Sequence, residues 1–249
     1  MESNIWNFVR RVAFHECEPG WQLATLRRPF LWGEEQIATL FDSIVRGYPI
    51  GTFLIWHTEA GVARQRFINH WPCSSVASDD ALRRGVDTKN IVLDGHQRIQ
   101  GLVFGLAGSY NSRELYFDVL SGETIASDGI CYRFGFKDAD VGWPWVRFKT
   151  ILGEVSLHVP CPIPVLDNVL ATAPDTLTNT EHDRVVLNQT RAINKFIIEY
   201  TISCQFLGGG RDRRVCKEME TYTADDVVEI FNRANVGCTA ADRFVAPLA

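Results

Sequence analysis

The segment Ile91-Val92-Leu93-Asp94-Gly95-His96-Gln97-Arg98-Ile99 constrains the fold more than any other part of this chain. A β-branched run ends in Asp-Gly. A helical pattern starts at once, with Ile99, Leu102, Val103 and Leu106 at i, i+3, i+4 and i+7. Asp94 therefore closes a strand and Gly95 makes the turn. His96, Gln97 and Arg98 fall in the first turn of a helix that runs to about residue 107. Backbone N–H groups without helical partners and the positive end of the helix dipole gather at such a place and favour an anion, phosphate above all. Arg98 has the planar fork that grips phosphate oxygens. Asp94 suits a metal ion, a ribose hydroxyl or an attacking water. A plain strand-to-helix turn with a solvated arginine fits the same pattern, and residue types alone do not choose between the two.

The rest of the chain is long enough to bury a core. Its 249 residues are 46% hydrophobic and 22% charged, a globular composition that excludes disorder and allows one large or two small domains. The net charge of −5 lacks the basic excess of a dedicated nucleic-acid module, so any DNA contact has to come from a local patch or a partner domain. The seven cysteines are scattered with no C-x-x-C pair, which argues against a disulfide framework or a zinc knuckle. The N-terminus has no basic start followed by an apolar stretch, and no run approaches the ~18 apolar residues of a membrane span. The expected location is a reduced cytoplasm, with no membrane contact.

Periodicity lays out the elements. Ile5, Phe8, Val9 and Val12 predict a short helix within residues 1–20, followed by an extended lead-in over 21–32. A helix is expected over 34–46, with Ile37, Leu40, Phe41, Ile44 and Val45 on its apolar face and Gly47 at its end. Phe53-Leu54-Ile55-Trp56 reads as a strand covered on both faces. Residues 73–90 read as a polar loop. Strands are predicted over 115–119, 130–136 and 145–151, and Val159 to Pro164 as an extended connector. One long helix is predicted from about 181 to 206, with Val186, Ile193, Ile197, Tyr200 and Cys204 on its buried side and Gly208 to Gly210 at its end. A second helix is expected over 224–234, capped by Thr223 with Asp226 at N3. Thr239 and Asp242 repeat that spacing just before Ala249, so a helix is expected to begin where the sequence stops, as in a truncated chain, a short gene product or half of a split system.

Four blocks carry a resemblance. They are Arg28-Pro29-Phe30-Leu31-Trp32 leading into Gly33 to Ile37; Leu40 to Ile44 with Gly47-Tyr48-Pro49-Ile50-Gly51; Leu93-Asp94-Gly95-His96-Gln97-Arg98; and Glu229 to Asn235 followed by Gly237 and Thr239. In this order they resemble the ParB/sulfiredoxin-like N-terminal domains of GmrSD-type restriction systems, whose signature is Asp-Gly-Gln-Gln-Arg. The resemblance spans about residues 28 to 243, and the segment between about 110 and 220 matches no motif of it. His96 replaces the first Gln of the signature, and Cys238 stands where a second Gly is expected. A sulfiredoxin signature resembles Gly-Gly-Cys-His-Arg. Here His96 takes the place of its reactive cysteine, which disfavours thiol redox chemistry at this turn.

The resemblance implies an α/β (α+β) fold: a ParB/sulfiredoxin-like mixed-sheet domain over 1–175, then a helical part over 176–249. It implies nucleotide binding and hydrolysis in an antiphage restriction system. The substrate would be a nucleoside triphosphate with Mg²⁺. The further partners would be DNA, which can be modified, and a His-Asn-His-type nuclease on another domain or subunit. On that reading the helix N-terminus at Gly95 and Arg98 hold phosphates. Asp94 binds Mg²⁺ or orients water, Gln97 positions the water as a glutamine does in GTPases, and His96 donates or exchanges a proton, because histidine titrates near neutrality. Arg28 and Trp32 join the nucleotide pocket by the same resemblance, beside the plainer reading of a surface Arg next to a core Trp. Arg233 and Asn235 match an Arg-x-Asn element that either caps a helix or binds a base or phosphate. Two other classes stay open: a ParB-like nuclease cutting DNA itself, and a non-catalytic nucleotide- or partner-binding module.

The remaining candidates carry less. Glu34, Glu35 and Gln36 suit the first turn of a helix. Gly208 to Arg214 is a basic loop without the Gly-Lys-Ser/Thr ending of a P-loop. His70 and Cys73 lack a second pair for a metal site, and Asp138 and Asp140 straddle a predicted turn.

Overall fold

The structure is a computed structural model that describes residues 3–13, 21–24, 30–58, 64–65, 89–152 and 167–207. It is an α+β fold. In chain order the elements are β1 (Ser3–Asn4), α1 (Ile5–Ala13), β2 (Trp21–Ala24), α2 (Glu34–Arg46), β3 (Phe53–Thr58), β4 (Arg64–Gln65), β5 (Lys89–Asp94) and α3 (His96–Leu106). Then follow β6 (Glu114–Asp118), β7 (Phe134–Lys137), β8 (Trp145–Arg147), α4 (Phe148–Ile151), α5 (Asp167–Leu170), α6 (Asn179–Ile193), a π-helix (Asn194–Glu199), β9 (Thr201–Ile202) and β10 (Cys204–Leu207). The described residues pack as two compact units, each assembled from separated stretches of chain. One holds residues 3–13, 30–51, 97–152 and 167–203; the other holds 21–24, 52–58, 64–65, 89–96 and 204–207.

The first unit is built around phenylalanine. α2 buries Ile37, Leu40, Phe41, Ile44 and Val45, the face its 3.6-residue periodicity predicts. Phe41 stacks on Phe196 of the π-helix at 5.1 Å and meets Phe148 edge-on at 5.6 Å. Phe117 of β6 stacks on Phe134 of β7 at 4.6 Å. Such pairs contribute about 0.5–1.5 kcal/mol each beyond the area they bury. β6 is the middle of an antiparallel sheet in the order β7-β6-β8. α1 buries Ile5, Phe8, Val9 and Val12 as its spacing predicts, and β1 pairs antiparallel with β9.

The second unit is a five-stranded mixed sheet in the order β10-β3-β5-β2-β4. β5 lies at its centre, parallel to β2 and antiparallel to β3. Ile91, Val92 and Leu93 of β5 and Phe53, Ile55 and Trp56 of β3 are buried. Consecutive residues of each strand are buried, so both faces are covered there, which is why both read as continuous apolar runs rather than alternating ones.

Three sequence expectations need correction. Of 130–136, only Phe134 onward is strand; Ala126, Gly129 and Ile130 are tied in a hydrogen-bonded turn. Of 145–151, only Trp145–Arg147 is strand, and Phe148–Ile151 turns into a helical segment that buries Phe148 and Ile151. The long helix over 181–206 does not form. α6 starts earlier, at a capping box in which Thr178 Oγ1 accepts from Glu181 N–H at 3.3 Å and Glu181 Oε2 from Thr178 N–H at 2.9 Å. It ends at Ile193, widens into the π-helix, and Tyr200 is already extended (φ −72°, ψ 112°). Thr201–Ile202 then pairs with β1 and Cys204–Leu207 with β3. Strand partners elsewhere in the chain thus override the local helical pattern. Ile193 and Ile197 are buried, whereas Val186, Tyr200 and Cys204 are only half-buried. The loop expected over 73–90 is described only at Lys89 and Asn90, which are strand. The connector at 159–164, the glycine-arginine loop and the helices expected over 224–234 and from Thr239 lie outside the described residues.

Candidate functional site

The turn at residues 94–98 forms where the strand and helix patterns meet. The pairing of β3 with β5 steps from Ile55↔Val92 to Leu54↔Asp94, so Leu93 is an extra residue on β5. A bulge of this kind re-aims the side chains next to it. Leu93 is buried and Asp94 exposed. Gly95 has φ +88°, a left-handed conformation that costs a glycine nothing and strains other residues. α3 begins directly after it at His96, whose side chain is half-buried. The strand end, the turn and the helix start stand where the residue pattern predicts them.

In the first unit, Gln97 and Arg98 each take hold of backbone from another motif. Gln97 Oε1 accepts the N–H of Leu31 at 2.9 Å and of Trp32 at 3.4 Å. The Trp32 carbonyl in turn accepts from Tyr110 Oη at 3.1 Å. Phe30 meets the rings of Phe104 and Tyr110 edge-on at 5.0 and 6.0 Å. A Cβ on Gly101 would stand 3.5 Å from the indole of Trp32, so that ring lies along α3. The lead-in to α2 is thereby fastened to α3 through both backbone and side chains. The first turn of α2 is closed by Gln36 Oε1, which accepts the Gly33 N–H at 2.9 Å, while Glu34 pairs with Arg113.

Arg98 donates to the carbonyl oxygen of Ile50. The segment Gly47 to Gly51 that contains it is held a second time by Tyr200. Tyr200 Oη accepts the Ile50 N–H at 3.0 Å and donates to the Tyr48 carbonyl at 2.6 Å. Burial pushes the Tyr200 phenol up, against the opposing pull of the Ile50 N–H, so it stays a donor at neutral pH. Gly51 sits at φ +82°, and a Cβ there would run into the Arg98 guanidinium. Residues from three of the four sequence blocks thus meet through Gln97 and Arg98.

Asp94, Gly95, His96, Gln97, Arg98 and Trp32 are placed by the structure; Arg28, Arg233 and Asn235 lie outside the described residues. Sequence reading missed Tyr110 and Tyr200. Tyr110 carries no periodic signal, and Tyr200 was hidden inside the supposed long helix. Among the described residues no three His, Cys, Asp or Glu side chains gather as metal ligands, and Asp138 and Asp140 are exposed at a turn. His57 Nδ1 lies 2.8 Å from Asn90 Oδ1 across β3 and β5, which accounts for that histidine by pairing within the sheet. Among the described residues no helix is long and apolar enough to cross a membrane.

Comparison with curated protein sequences gave no match. The family described as "GmrSD restriction endonuclease, N-terminal domain" matches residues 21–243, a span that takes in all four sequence blocks and every described residue except 3–13. This chain belongs to the GmrSD restriction endonuclease N-terminal domain family, and is a domain of a restriction system.

Proposed function

We propose that this chain is the nucleotide-binding and nucleotide-hydrolysing sensor of its restriction system, and that DNA, modified or not, is cut by a His-Asn-His-type nuclease domain or subunit. The observation that carries the reading is the bulged strand end, left-handed glycine and helix start at Asp94-Gly95-His96. That arrangement exposes a carboxylate beside backbone donors suited to phosphate. Gln97 and Arg98 follow it in the signature and are anchored on the backbone of two further motifs.

Asp94 is an exposed carboxylate on an otherwise acid-poor turn. That donor set fits Mg²⁺, which takes one or two carboxylates and fills its remaining positions with water and phosphate oxygens. Bound there, Mg²⁺ would offset charge on the phosphates. Asp94 orients the attacking water or holds the ion, Arg98 stabilises negative charge on the phosphates, and His96 supplies or accepts a proton. Gln97 holds the lead-in backbone through its oxygen, and its water-positioning role belongs to the amide group so fixed. Arg28, Trp32, Arg233 and Asn235 are the further nucleotide-binding residues that the family resemblance implies.

Titration of the purified chain with nucleoside triphosphate, together with phosphate release, tests this. Arg98→Ala should weaken binding by about 1.5–3 kcal/mol, the range for a hydrogen bond to a charged group. Asp94→Asn should melt within a few degrees of the parent and lose turnover. Retained turnover in Asp94→Asn would reduce Asp94 to a turn residue, and unchanged affinity in Arg98→Ala would remove the phosphate role.

A further inference from the structure

We infer that Tyr200 is a positioning residue for the nucleotide site, acting through Ile50 on Arg98; the inference rests on the phosphate role proposed for Arg98. One peptide segment connects the two side chains. Tyr200 Oη accepts the Ile50 N–H at 3.0 Å, and the Ile50 carbonyl accepts from Arg98. The same hydroxyl donates to the Tyr48 carbonyl at 2.6 Å, so it grips the segment on both sides of Pro49. Pro49 fixes its own φ and has no N–H, which leaves Ile50 as the first donor after Tyr48. The guanidinium is also walled in by Gly51, where a Cβ would collide with it. The tyrosine reaches this spot because the π-helix adds length after α6 and turns the chain out of the helix at Tyr200. π-turns of this kind often mark functional positions. Removing the hydroxyl frees the Tyr48–Gly51 backbone, and the carbonyl that orients Arg98 moves with it.

The test uses the full chain, with ATP and GTP in the presence of Mg²⁺ as probes. Four proteins are compared: the parent, Tyr200→Phe, Arg98→Ala and the double variant. Phe keeps the ring and its packing, and a thermal melt of each variant checks the fold. Tyr200→Phe removes both hydrogen bonds of the hydroxyl and should raise the nucleotide Kd and KM by about fivefold, with kcat little changed. Amide exchange in the 47–51 segment should quicken. In the Arg98→Ala background the same change should have no further effect on Kd, because its route is already cut. Equal affinity of parent and Tyr200→Phe would overturn the inference, as would losses that add in the double variant. A parent chain that binds neither nucleotide would instead overturn the reading beneath it, and the inference with it.

Discussion

At position 42 an acidic side chain lies 2% exposed on the buried face of α2. Asp42 Oδ1 accepts the N–H groups of Tyr132 at 2.7 Å and Cys131 at 3.2 Å, and Oδ2 pairs with Arg46 at 3.4 Å. Apolar periodicity passes over this residue, since a lone aspartate between Phe41 and Ile44 reads as a polar flank. Asp42→Ala would leave two backbone donors without an acceptor, and should destabilise the chain by about 2–4 kcal/mol in urea unfolding. Asp42→Asn keeps one acceptor oxygen and should lose clearly less; equal losses would mean that the Arg46 pair, not the backbone bonds, carries the effect. Glu114 gives a pH-dependent counterpart. Burial raises its pKa, but Arg147 and Lys149 outweigh that and hold the carboxyl below its ordinary value. Lys149 Nζ lies 2.8 Å from Glu114 Oε1 and also donates to the Gly108 carbonyl at 2.9 Å. A carboxylate whose pKa falls on folding stabilises above its unfolded pKa, and that stabilisation fades as pH drops through the folded one. Glu114→Gln should therefore melt lower than the parent at pH 7, and the gap should narrow as the medium is acidified below the ordinary glutamate range. A gap independent of pH would assign the effect to packing.

At the scale of elements, legibility followed how local the determinant was. α2 was readable to the residue because periodicity, first-turn acids and a terminal glycine all act within it. The 94–98 turn was readable because a strand pattern and a helix pattern abut there with one glycine between them. What failed was the stretch after Ile193, where the determinants lie far away: β9 exists because β1 pairs with it, and β10 because β3 does. The site was legible in the same proportion. Asp94, Gln97 and Arg98 announced themselves by motif, whereas Tyr200 is defined by what it touches some 150 positions earlier. One local signal went unread. Thr178-Asn179-Thr180-Glu181 is a capping-box sequence, and its two reciprocal bonds start α6. Thr178→Ala should cost about 1 kcal/mol in chemical denaturation. Because α6 leads into the π-helix that bears Phe196, the loss should appear in the global transition; a change confined to local amide exchange in α6 would show that the helix start is decoupled from the core.

Over the whole molecule, the two units are interleaved in sequence: the chain leaves the second unit at His96 and enters the first at Gln97, within one helix turn. No reading of contiguous segments recovers such units, since each is closed by stretches more than a hundred residues apart. The net charge is also a property of the whole. At −5 the chain lacks the cationic excess that drives unaided DNA binding through counterion release. The purified chain should accordingly leave plasmid uncut. Supercoiled plasmid, with and without modified bases, would be incubated with the chain, Mg²⁺ or Mn²⁺ and nucleoside triphosphate, then resolved on a gel. Intact plasmid alongside measurable phosphate release supports a sensor whose nuclease lies elsewhere. Nicking that survives purification and vanishes in Asp94→Asn or Arg98→Ala would move DNA hydrolysis onto the 94–98 turn and make this chain a nuclease in its own right. Nicking that both variants retain would not come from this turn.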